Sequence, residues 1–231
     1  MKILVFNGSP RKRNSTTDIL LERYVEGAKD AGANVSKHHV VDLNIKGCKS
    51  CFTCWWTTPG RCVHRDDMDW LLPEIVDADI IVLGTPVYGR NVTHYLQKLL
   101  ERTFSLNLPE MAVHEGETRH PQRFRKIPQI VLVSTCGFPD ESNFDIIKQL
   151  YPSTLYILLP ASQILYSESG QEYLSDFLSN IKETGFLMAK GESISDQKQE
   201  SLQVCYSDEM KMDIIARHNE YSASGGKNRT Y

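Results

Sequence analysis

The chain of 231 residues predicts a doubly wound α/β fold: a five-stranded parallel sheet with helices on both faces, plus a C-terminal helical extension. Three observations carry this prediction. Short β-rich apolar runs alternate with longer amphipathic stretches over residues 1–190. The bounded run Ala78 to Leu83 has the character of a central strand buried on both faces. Loops rich in glycine, proline and hydroxyl residues follow the first, third and fourth runs, where ligand-binding loops of an open parallel sheet belong.

The elements follow in order. Lys2 to Asn7 reads as the first strand, and Ser15 to Ala31 as a helix with Ile19, Leu20, Tyr24 and Ala28 on one face. Val35 to Val41 is the second strand. A cysteine loop and a short acidic segment, Asp66 to Asp77, separate it from the third strand at Ala78 to Leu83. Then come a helix over Tyr95 to Phe104, a strand over Ile127 to Thr135, a helix over Asn143 to Leu150, a strand over Ser153 to Leu159 and a closing helix over Gln171 to Ala189. Leu106 to Lys126, with His114, Arg119, His120, Arg123 and Arg125, is polar and reads as a long loop or lid. The division expected is one domain over 1–190, with the cysteine loop at 47–63, followed by an extension over 191–231. That extension comprises a polar linker from Gly191 to Gln203, a short helix over Asp208 to Asn219 and a flexible tail.

With 41% apolar residues the chain can bury a substantial core. Its 26 basic and 29 acidic residues leave a net charge of −3, so nucleic-acid and membrane partners are not expected. The apolar start Ile3 to Phe6 is too short for a signal-peptide core, and no run of about 18 apolar residues occurs. A cytoplasmic location is expected.

The first strand runs into Gly8-Ser9-Pro10-Arg11-Lys12-Arg13-Asn14-Ser15-Thr16-Thr17. Backbone N–H groups, hydroxyls and a cation at a helix N-terminus suit a phosphate dianion. The loop carries neither the Walker spacing nor G-x-G-x-x-G, and an ordinary capping turn with solvated arginines is the competing reading. The third strand leads to Thr85-Pro86-Val87-Tyr88-Gly89-Arg90-Asn91 and the fourth to Ser134-Thr135-Cys136-Gly137-Phe138. These loops offer amides and an aromatic ring to a flat heteroaromatic ligand. Singly, each residue also fits a plain turn or core role.

Cys48, Cys51, Cys54 and Cys62 form the pattern C-x2-C-x2-C-x7-C. Three thiols on one turn with a fourth nearby favour a compact iron-sulfur cube over structural zinc, which usually employs two separated C-x2-C knuckles. Zinc and unligated thiols remain alternatives, and a reducing cytosol lowers the weight of a disulfide.

Taken together, Gly8-Ser9-Pro10-Arg11 with Ser15-Thr16, then Thr85-Pro86-Val87-Tyr88, and the cysteine loop followed by Asp66-Asp67-Met68 resemble the NADPH-dependent FMN reductase family, and within it the iron-sulfur flavoprotein branch. The resemblance implies a flavodoxin-like fold binding FMN, its phosphate at Ser9, Arg11, Ser15, Thr16 and Thr17. It implies isoalloxazine contacts from Pro86, Val87, Tyr88, Gly89, Thr135, Cys136 and Gly137, and a 4Fe-4S cluster on the four cysteines. The expected activity is hydride transfer from NAD(P)H to FMN and electron delivery to a small molecule or redox protein, in a homodimer or homotetramer. No acid, base or nucleophile is required of the protein, so His38, His39 and His64 receive no role. Two rival readings are a flavin and iron-sulfur electron carrier without turnover, reduced by a ferredoxin-like partner, and a thiol-based redox or metal sensor.

Overall fold

In the computed structural model, which describes residues 1–225, apolar side chains alternate between the two faces of a single sheet. Strands β1 (Lys2–Asn7), β2 (Asn34–His39), β3 (Ile80–Pro86), β6 (Gln129–Thr135) and β7 (Leu155–Leu159) pair in the order β2-β1-β3-β6-β7, every pair parallel. On one face Ile3, Val5, Val82, Val133 and Ile157 meet helices α1 (Thr16–Asp30) and α7 (Ser175–Lys190). On the other, Leu4, Phe6, Ile81, Leu83 and Leu132 meet α3 (Met68–Asp77) and α4 (His94–Arg102). Both faces are therefore covered, as a parallel sheet requires. The order in which successive strands are added reverses between β1 and β3, so the loops after those strands diverge over one crevice.

Helices α1 and α7 cross unusually closely. A Cβ at Gly27 would lie 1.8 Å from the Lys182 carbonyl oxygen, and one at Gly185 would lie 2.1 Å from that of Tyr24. At this crossing two glycines replace side-chain spacing with backbone contact.

Several expectations change. The acidic segment after the cysteine loop is mostly helix: α3 spans Met68–Asp77 and keeps Pro73 inside it, because Leu71, Leu72 and Ile75 are buried. The single closing helix is two, α6 (Glu168–Tyr173) and α7, meeting at buried Leu174. Gly170 lets α6 seat against the preceding turn, since a Cβ there would sit 2.0 Å from the Ile164 carbonyl oxygen. The Leu106 to Lys126 excursion contains a small hairpin, β4 (Ala112–His114) and β5 (Glu117–Arg119).

Between those elements lie the short helices α2 (Thr53–Trp56) within the cysteine loop, α5 (Asp145–Leu150) before β7, and α8 (Asp196–Glu200) after α7. The polar stretch after Lys190 is not a free linker along its length. Leu202 is fully buried; Leu158 N–H donates to its carbonyl at 2.9 Å, and Val204 N–H donates to Leu158 O at 3.1 Å. The segment thus covers the open edge of β7. The last helix, α9 (Asp208–Ala223), starts at the Ser207 cap and has no buried residue. The tail expected to be flexible falls mainly outside the described residues. Among those described, no helix is long and apolar enough to cross a membrane.

Candidate functional site

The loop after β1 is held by a buried relay. Asn7 Oδ1 accepts from Ser9 N–H at 2.8 Å, and Asn7 Nδ2 donates to Asp18 Oδ1 at 2.6 Å. Lys37 on β2 closes the relay with an ion pair to Asp18 at 2.5 Å. Gly8 is required here because a Cβ would meet Leu96 at 2.9 Å and the Gly84 carbonyl at 3.0 Å. Ser15 caps α1 through Asp18 N–H, and the first turn of α1 presents N–H groups that no intrahelical carbonyl can take.

Hydroxyls then tie this loop to its neighbours. Thr17 Oγ1 and Thr135 Oγ1 are 2.8 Å apart, and Thr16 Oγ1 donates to Ser162 Oγ at 2.9 Å. Val87 N–H donates to Thr135 O at 2.8 Å, joining the loops after β3 and β6. Gly89 and Arg90 both take positive φ, +57° and +63°, and the Tyr88–Asn91 pair closes the tight turn they make. The turn leaves Tyr88 half exposed beside the crevice.

These loops line one cleft of ≈ 190 Å³. Ser9, Arg11, Ser15, Thr16, Thr17, Pro86, Val87, Tyr88, Thr135, Cys136 and Gly137 all contribute to its wall. Gly89 does not, because it occupies the apex of the turn with open space around its Cβ position. Three lining residues escaped the sequence reading: Ser162, Gln163 and Tyr166. They follow β7, whose carboxyl end reaches the same sheet edge, and the adjacent Pro160 and Ala161 are the signal that marks a turn there. The Arg11 guanidinium lies 5.3 Å from the Tyr166 ring centroid, and Tyr166 Oη donates to Asn14 O. Burial pushes the Cys136 thiol up to about 11, so at neutral pH it is an uncharged wall group. One end of the cleft therefore presents hydroxyls, N–H groups and a cation, while the other presents a proline, an aromatic ring and backbone amides. That donor set fits FMN, an anionic tail carrying a flat heteroaromatic head.

The cysteine loop lies apart from this wall. Cys48 and Cys51 are exposed, and Cys54 and Cys62 are half-buried. Burial, with the sulfurs of Cys62, Cys48 and Cys51 in that order of effect, raises the Cys54 thiol, so the four sulfurs share one neighbourhood. Among the described residues no three His, Cys, Asp or Glu side chains gather tightly enough to hold a single metal ion. Trp55 is buried and stacks on Phe104 at 4.3 Å, whereas Trp56 is 68% exposed. The donor chemistry, four thiols on a loop, fits an iron-sulfur group. Of the arginines in the 106–126 excursion, Arg119 pairs with Glu117 and Arg123 packs against Gly60 in the cysteine loop.

A sequence profile of the NADPH-dependent FMN reductase family matches residues 1–127. The chain belongs to this family. An iron-sulfur flavoprotein of Archaeoglobus fulgidus is 42% identical over 103 residues, covering 45% of this chain and 49% of the relative. An iron-sulfur flavoprotein of Methanosarcina thermophila is 31% identical over 113 residues, covering 49% and 58%. The chain thus spans about half the length of the curated relatives it matches. Among solved structures, an NAD(P)H:quinone oxidoreductase from Methanothermobacter marburgensis superimposes with a TM-score of 0.59, at 14% identity, over 81% of this chain and 96% of its own. An FMN-dependent NADH-azoreductase from Bacillus anthracis in complex with FMN gives 0.55, at 14% identity, over 81% and 99%. These two likenesses establish the shared flavodoxin-like fold of this FMN reductase family member.

Proposed function

We propose that the protein is an FMN-dependent oxidoreductase that takes hydride from NADPH or NADH and delivers electrons to a small-molecule or redox-protein acceptor. The observation that carries this reading is the convergence of the loops after β1, β3, β6 and β7 on one cleft, phosphate donors at one end and amides with Tyr88 at the other. Ser9, Arg11, Ser15, Thr16 and Thr17 would hold the phosphate. Pro86, Val87, Tyr88, Thr135, Cys136 and Gly137 would flank the ring, with Gly89 shaping the turn. Bound FMN would supply a hydride-accepting ring nitrogen, and a 4Fe-4S cluster on Cys48, Cys51, Cys54 and Cys62 would supply one-electron exchange. The protein's share is to position the ring, neutralise the phosphate and restrict water. Exposed Trp56, Met212 and Ile215 support a homo-oligomer, with the cysteine loop and α9 as the faces covered.

The test is anaerobic purification followed by flavin, iron and sulfide analysis and steady-state NAD(P)H oxidation with quinone, flavin or dye acceptors. One FMN per chain with turnover supports the enzyme. Bound flavin without turnover toward any acceptor leaves the electron-carrier reading, and colourless protein without flavin leaves the thiol sensor. Homo-oligomer formation is read independently by sedimentation.

A further inference from the structure

Buried donors without partners surround the cysteine loop. Trp55 Nε1, His64 Nε2, Arg102 Nε and Arg123 Nε are all buried and lack a hydrogen-bond partner among the described residues. Three of them, the indole and the two guanidinium N–H groups, can only donate. Unmet buried donors are costly, so such a group of them marks a place prepared for acceptors.

Arg102 is the most constrained of the four. It ends α4 and is 2% exposed. Its Nη1 donates to Lys46 O at 2.7 Å and to Asp66 Oδ2 at 2.6 Å, while Nη2 donates to Asp66 Oδ1 at 3.0 Å. Asp66 Oδ2 also accepts from Lys46 N–H at 3.0 Å. Lys46 precedes the first cysteine of the loop and Asp66 follows the last, so one guanidinium fork clamps both ends. The side chains of the pair are 1% and 0% exposed, and a fully buried ion pair is a poor device for stability alone.

Resting on the reading of the cysteine loop as a 4Fe-4S site, we infer that Arg102 is a positioning residue for the cluster: the Asp66 fork fixes its guanidinium so that its unpartnered Nε–H is left for a sulfur of the loop whose two ends it clamps. An N–H donor and a fixed positive charge stabilise the more negative, reduced cluster more than the oxidised one. Arg102 thereby raises the reduction potential of the cluster.

The experiment compares wild type with Arg102→Lys and with the double variant Asp66→Asn/Arg102→Gln, all purified anaerobically. Iron, sulfide and FMN per chain are measured, with the midpoint potential of the cluster read by redox titration. Arg102→Lys keeps a charge for Asp66 and removes the Nε donor. The expected result is full FMN and a lower potential, one-electron reduction becoming less favourable by on the order of tenfold, about 59 mV. The double variant strands no charge, and should show a larger fall or loss of iron and sulfide with FMN retained. A wild-type potential in both variants overturns the inference. So does joint loss of FMN and cluster from both, which would make Arg102 a fold element only. Wild-type protein without iron and sulfide overturns the cluster reading and this inference together, leaving the flavin reading standing.

Discussion

Arg11 illustrates how little of a binding role one side chain must carry and how it can be isolated. It sits in the cleft wall over Tyr166, with the guanidinium over the ring and no side-chain hydrogen bond or ion pair among the described residues, so its N–H groups can meet an anion. Replacing it by Ala should weaken FMN binding by about 1.5–3 kcal/mol, the value of a hydrogen bond to a charged group. Quenching of flavin fluorescence on titration into flavin-free protein measures this directly, and unchanged affinity removes Arg11 from the phosphate site. Arg11→Lys should fall between, since the ammonium keeps the charge and loses the planar fork. The sequence could nominate Arg11, Ser15, Thr16 and Thr17 because a hydroxyl-rich loop between strand and helix is a local pattern. It could not nominate Ser162, Gln163 and Tyr166, whose membership depends on β7 lying beside β6.

At the scale of elements, the α1–α7 crossing offers a clean test. Gly185→Ala gains about 1 kcal/mol of helix propensity, but its methyl would drive into the Tyr24 carbonyl at 2.1 Å. Backbone cannot rotate out of the way as a side chain can, so the clash should prevail with a net loss of about 1–3 kcal/mol, read from urea unfolding midpoints. A neutral or stabilising Gly185→Ala would contradict the close crossing. The apolar faces of these helices are legible at helical spacing, whereas the partner of each glycine lies more than 150 residues away in the chain. The same distinction explains the segment after α7: its polar composition suggests a linker, and one residue, Leu202, commits it to the core. Leu202→Ala should cost about 2–5 kcal/mol, as a fully buried leucine does, where an actual linker would register nothing.

For the molecule as a whole, the buried Asp66–Arg102 pair links stability to pH. Burial alone would raise the Asp66 carboxyl, yet hydrogen bonds from Arg102 and the Lys46 N–H outweigh it and hold the group below the usual carboxylate range. Around pH 4 the unfolded chain therefore binds the proton more readily than the folded one. The contribution is fully present above about pH 4 and is lost as pH falls through the lowered folded value. Urea midpoints measured from pH 7 downward should fall more steeply below about pH 4 for wild type than for Asp66→Asn/Arg102→Gln. Asp66→Asn alone should be the more damaging change at pH 7, by about 3–5 kcal/mol, because it leaves Arg102 buried and unpaired. Equal pH profiles for wild type and double variant would remove the pair from this account.

Periodicity and loop composition are local properties, so the alternating pattern of strands and helices, the chemistry of the loops and the cysteine spacing are legible along the chain. Other features emerge only on folding: the strand order that brings four loops to one cleft, the glycine crossing, the burial of Leu202 and the pairing of Arg102 with Asp66. Each joins residues far apart in the chain, and only packing of the two layers against the sheet chooses which of them meet.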